Sequence, residues 1–192
     1  VLTGRFSEFP TIRKYKGLSG FLKRSESEYD IFGAGHASTS ISAALGIASA
    51  RNLNDDDYKV VSIIGDGALS GGLAFEALNN AGNVRKQLLV IVNDNDMSIS
   101  PNLGAFRNYL VKIATNKKYN QIRKWIYRSI KKFPSTFFVN ILRKTEASAK
   151  KFFFPTTIFE DLGFRYFGPI DGHNIEELID VLEKIKDLDK PV

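Results

Sequence analysis

Two short apolar runs, "YKVVSIIG" (58–65) and "QLLVIVND" (87–94), constrain the chain more than any other feature. Each is rich in β-branched residues, bounded by turn-forming residues, and too continuous for a strand with one wet face, so each reads as a parallel strand buried on both sides. Residues 70–81 lie between them, with Leu73, Phe75, Ala77 and Leu78 at helical spacing. Strand, helix and strand within about 35 residues make a βαβ unit, which requires a parallel sheet. The expected fold class is therefore α/β, a mostly parallel central sheet flanked by helices.

Other segments extend this frame. "GAGHASTSISAALGIASAR" (33–51) has a Gly-rich entry, Ser/Thr cap candidates, and then small residues at helical spacing. Ala43, Ala44, Gly46, Ala48 and Ala50 predict the close approach of another backbone or a ligand. "FRYFGPIDG" (164–172) reads as a third strand leading into a loop. "NIEELIDVLEKIKDL" (174–188) reads as an amphipathic helix begun by an Asn cap, with Ile175, Leu178, Ile179, Leu182 and Ile185 on its apolar face. Residues 1–30 are turn-rich.

At 192 residues the expectation is a single domain. The missing initial Met and the closing "DLDKPV" are read as ends of a piece cut from a longer protein. The sequence contains no Cys, which excludes disulfides, thiolate metal sites and a Cys nucleophile from it. No apolar run nears the ~20 residues of a membrane span, and no signal peptide is visible. The net charge of +6 is uneven: residues 107–151 hold 13 Lys/Arg against the single acid Glu146, so the remainder is net negative. This stretch is expected to be a basic helical insertion with a solvated face. No nucleic-acid module accompanies it, and neither nucleic acid nor membrane is expected as a partner.

In open parallel sheets ligands bind beyond the carboxyl ends of the strands. Asp66 follows the first run, and Asn93, Asp94, Asn95 and Asp96 follow the second, so both loops carry hard oxygen donors. Gly65 and Gly67 let the chain turn sharply and let a large anion approach without a Cβ in the way. A helix starting at once would add N–H donors and a positive dipole end. A diphosphate beside a carboxylate calls for a bridging cation, and Mg²⁺ takes that mixture of ligands. A dinucleotide fingerprint is absent, since "GAGHAS" lacks its third glycine. Ser38 and Ser40 near His36 lack a nucleophile elbow and a third partner.

The order GDG, then NDN with Asp66 and Asn95 29 residues apart, resembles the metal site of thiamine diphosphate enzymes. Within that superfamily, "GAGHASTSISAALGIASAR", "NDNDMSIS", "FGPIDGHN" and "LTGR" resemble the 1-deoxy-D-xylulose-5-phosphate synthase family, in the right order and over nearly the whole chain. The resemblance implies a thiamine diphosphate-binding fold of the diphosphate-side type. It implies Asp66, Asn95 and the Met97 carbonyl as Mg²⁺ ligands, and Gly67 and Ala68 as N–H donors to the diphosphate. Asn95 is shared with the cofactor, and Gly35, His36 and Ala37 form a cofactor loop, with His36 the one catalytic candidate. Ala37 stands where the family usually has Ser. The resemblance further implies a decarboxylating transferase that condenses pyruvate with D-glyceraldehyde 3-phosphate, and a homodimer; a cytoplasmic setting is expected, with an organelle as the alternative. The family's activating Glu lies in later pyrimidine-binding and C-terminal domains absent from these 192 residues, so the segment alone is expected to be inactive. His173 is expected to cap a turn beside Asp171. Two alternatives stand beside this reading: another thiamine diphosphate enzyme such as transketolase, and a non-catalytic polyanion-binding module.

Overall fold

The computed structural model describes residues 3–94 and 158–192. The expected basic insertion at 107–151, together with Asn95 and Met97, lies outside the described residues. After a 3-10 helix at Phe6–Thr11, the elements are α1 (Ser40–Leu53), β1 (Val61–Gly65), α2 (Asp66–Leu69), α3 (Gly72–Val84), β2 (Leu89–Asn93), α4 (Ile158–Asp161) and α5 (Ile175–Ile185).

β1 and β2 pair in parallel, from Val61 opposite Leu89 to Gly65 opposite Asn93, which fulfils the βαβ expectation. The α/β class holds: a small open parallel sheet with flanking helices. Burial on both faces does not hold for β1. Ser62 and Ile64 are buried, while Val61 and Ile63 are 49% and 66% exposed. Among the described residues, helices cover only the face carrying Ser62, Ile64, Val90 and Val92.

That covered face holds the core. Ile41, Ala44, Leu45 and Ala48 of α1 meet Ala74, Ala77, Leu78 and Ala81 of α3 and Ile64 of β1. Alanines on both helices let the two backbones come close, as the small residues of α1 predict, although Gly46 and Ala50 themselves are exposed. Phe159 and Phe164 complete the cluster, and Tyr166 stacks on Phe159 with ring centroids 5.6 Å apart. Gly82 makes this closure possible, because a Cβ there would collide with the Leu162 carbonyl.

Buried Arg51, at the end of α1, ties both strand entrances together. It donates to the carbonyls of Tyr58 and Gln87, each at 3.1 Å, and to Asn52 Oδ1. Carbonyls ahead of each strand thus find a charged donor, and hydrogen bonds to charged groups are the stronger kind.

The expected third strand at 164–172 is not formed. Arg165 N–H donates to Pro191 O at 3.0 Å, but residues 164–172 carry no strand ladder, and Pro169 within them has no N–H to offer one. The closing residues do pair with the sheet: Val192 N–H donates to Leu88 O and Val192 O accepts from Val90 N–H. α5 begins as expected, with Asn174 Oδ1 accepting from Glu177 N–H at 3.2 Å. Its apolar stripe is only partly used, with Val181 and Ile185 buried and Ile175 and Ile179 exposed.

Candidate functional site

Register decides which loops meet. Because Gly65 lies opposite Asn93, Asp66 and Asp94 leave neighbouring strands at the same carboxyl edge. α2, which opens on Asp66, rests against both strands. The structure therefore brings the two oxygen-bearing loops together as far as Asp94, where the described residues stop.

The helix expected directly after Gly-Asp-Gly is broken. α2 runs for four residues, Ser70 and Gly71 interrupt it, and α3 starts at Gly72. A four-residue helix has no macrodipole to speak of, so the dipole expected at Gly67 belongs instead to α3, five residues further on. What remains at Gly67 and Ala68 is local: first-turn N–H groups have no intrahelical acceptor. Gly65 also departs from expectation, since its φ of −74° and ψ of 153° are open to any residue. A Cβ on Gly65 would meet nothing within 4 Å, and the same holds for Gly35 and Gly72.

The Gly35–Ala37 loop is exposed, His36 included. One hydrogen bond brings it to the Asp66 turn, from Ser38 Oγ to Ala68 O at 2.6 Å. Thr39, the residue before α1, makes no capping bond with its side chain; its Oγ1 donates to His36 O at 3.4 Å instead. A second tie follows within α1, where the buried Ser62 Oγ of β1 donates to Ser40 Oγ at 3.1 Å. Ser38 and Ser62 were not among the site residues read from the sequence. Partners 22 and 30 positions apart leave no local signature.

His173 lies where its turn role predicts, its N–H donating to Asp171 Oδ1 at 3.0 Å. Among the described residues, no three His, Cys, Asp or Glu side chains gather into a metal cage. Hard oxygen donors at one edge and glycine positions with open space around them fit a Mg²⁺-bound diphosphate.

A parallel β-α-β unit with acidic loops at its carboxyl edge defines an α/β protein of the kind that holds a ligand beyond its strand ends. A family model described as 1-deoxy-D-xylulose-5-phosphate synthase matches residues 1–192, and the chain belongs to that family. A protein named 1-deoxy-D-xylulose-5-phosphate synthase from Alkaliphilus oremlandii is 52% identical over 194 residues, covering 100% of this chain and 31% of the relative. Proteins of the same name from Carboxydothermus hydrogenoformans and Chlorobaculum tepidum are 53% and 50% identical, with the same coverage. The chain thus spans 31% of the length of these curated relatives. Neither transketolase nor a polyanion-binding module is what these comparisons support.

Proposed function

We propose that residues 1–192 are the part of a longer 1-deoxy-D-xylulose-5-phosphate synthase that grips the diphosphate of thiamine diphosphate through Mg²⁺. The observation that carries this reading is the pairing of Gly65 with Asn93, which sets Asp66 and the Asn93–Asp94 loop side by side in a chain of that family. On this reading Asp66, Asn95 and the Met97 carbonyl hold the metal. Gly67 and Ala68 offer backbone N–H groups to the diphosphate, and Asn95 contributes from the facing loop. Gly35, His36 and Ala37 flank the cofactor, where an imidazole can donate to phosphate or to a substrate carboxylate.

Bound there, thiamine diphosphate supplies the electron sink that lets a 2-oxoacid lose carbon dioxide and join an aldehyde. This chain's residues fix the charged end of that cofactor so that its reactive end is held in place. Pyruvate and D-glyceraldehyde 3-phosphate are the substrates of the same reading, and 1-deoxy-D-xylulose 5-phosphate with carbon dioxide are the products. On the same reading residues 1–192 make up a single metal-binding domain. The pyrimidine-binding and C-terminal domains, with the activating Glu, belong to the remainder of the protein. Homodimerisation and a cytoplasmic location complete the reading.

The test is carbon dioxide release from pyruvate by the full-length protein with thiamine diphosphate and Mg²⁺. Release is expected to rise on adding D-glyceraldehyde 3-phosphate, and Asp66→Ala is expected to remove metal-dependent cofactor binding, since Mg²⁺ tolerates little departure from its octahedron. No release from pyruvate, or turnover only with a ketose donor, overturns the assignment.

A further inference from the structure

Ser38 is not among the residues assigned to the cofactor, yet it is the strained residue of the site. Its φ of 71° lies in the left-handed region, which side chains other than Asn and Asp seldom enter. Such strain persists only where the surroundings over-determine it. Here the hydroxyl reaches Ala68 O at 2.6 Å, and the same carbonyl accepts Gly71 N–H at 3.3 Å, so both of its lone pairs are engaged.

Gly71 supplies a second, independent observation. Its φ of −75° and ψ of 144° suit any residue, so its backbone does not ask for glycine. Space does: a Cβ on Gly71 would collide with the Ser38 hydroxyl and sit 2.9 Å from the Ser38 Cβ. The glycine that breaks the helix after Asp66 is therefore the seat of the Ser38 side chain. A left-handed serine and a sterically required glycine serve one hydrogen bond between two segments that the sequence places 30 residues apart.

We propose that Ser38 is a positioning residue for the cofactor site, locking the Gly35–Ala37 loop to the Gly67–Ala68 turn and so setting the width of the slot that receives the diphosphate. It acts through Ala68, whose carbonyl it holds and whose N–H faces the opposite way along the chain. Thr39 contributes no capping bond, and the Ser38 bond is the one that joins the loop to the Ala68 turn among the hydrogen bonds described above. The inference rests on the cofactor reading above.

The test uses the full-length protein and titrates thiamine diphosphate calorimetrically at saturating Mg²⁺. Ser38→Gly removes the hydroxyl while leaving the left-handed backbone accessible. Its half-saturating cofactor concentration is expected to rise about tenfold or more, as for other residues that orient ligands from behind. The melting temperature of the cofactor-free protein is expected to move by less than about 3 °C. Gly71→Ala attacks the same contact from the other side and is expected to weaken binding similarly, with no further loss in the double variant, because both changes break one interaction. Unchanged affinity in Ser38→Gly overturns the inference, as do additive losses. Should that variant not fold, unchanged affinity in Gly71→Ala overturns it instead. Asp66→Ala separates the two levels: if it abolishes binding while Ser38→Gly binds normally, only the positioning role falls. If Asp66→Ala binds normally, the cofactor reading falls and takes this inference with it.

Discussion

In residues 3–39 the one buried residue is Asp30, a carboxylate, whereas residues 40–94 bury Ile41, Leu69, Leu78 and Leu88 almost completely. The first region is ordered by polar clamps. Arg5 grips Asp30 with two hydrogen bonds of 2.9 and 2.8 Å, and Lys23 N–H donates to the same carboxylate at 3.0 Å. Glu26 accepts from Ser19 N–H, and Thr11 bonds across to Leu18 N–H. Its large apolar side chains, Phe6, Phe21, Tyr29 and Phe32 among them, stay exposed. The second region is ordered by apolar area removed from water, a force without direction that depends little on pH. The Gly35–Ala37 loop belongs to the first kind and the Asp66 turn to the second. The candidate site is where a segment fixed by directional bonds meets one fixed by packing.

The contrast breaks first at the core. Leu78→Ala is expected to cost about 2–5 kcal/mol, because the cavity adds to the lost transfer energy. Hydrogen exchange of the α3 and β1 amides should accelerate accordingly. Exchange rates left unchanged would show that the lobe does not depend on this packing.

Arg5→Ala is expected to act locally. It strips a buried carboxylate of its charged partner, so limited proteolysis should cut within residues 3–39 while α3 amides keep their protection. Equal destabilisation of both regions would dissolve the distinction.

The smallest effect is one of pH. Hydrogen bonds from Arg5, then from Lys23 N–H, hold the Asp30 pKa below its ordinary carboxylate value, outweighing the burial that would raise it. Its contribution to folding is therefore complete above the unfolded carboxylate pKa of about 4 and is lost as pH falls through the lower folded value. In thermal melts from pH 7 to pH 2, the wild type should lose more stability than Asp30→Asn. A parallel decline of the two would remove Asp30 from the acid response.

Periodicity made the parallel unit legible, because strands β1 and β2 and helix α3 are set by local apolar pattern, and the core agrees with it at Ala77 and Leu78; Leu73, expected on the same apolar face, is 50% exposed. The exposed faces of Val61 and Ile63 were not legible, since apolarity shows what a residue favours and not what covers it. The break between α2 and α3 left a visible trace in Ser-Gly-Gly (70–72), but the helical pattern on either side reads through it. The loops that meet at the site were legible from spacing and resemblance. The bond that joins them was not, because a left-handed serine carries no compositional mark.

The seating of Ser38 on Gly71 has a consequence for how this protein can change. Alanine at 71 is acceptable to the backbone but blocked by the side chain at 38, so the order of substitution matters: position 38 must shrink before position 71 can grow. The two positions form a ratchet, and a lineage that keeps the serine is confined to glycine 33 residues downstream by contact alone.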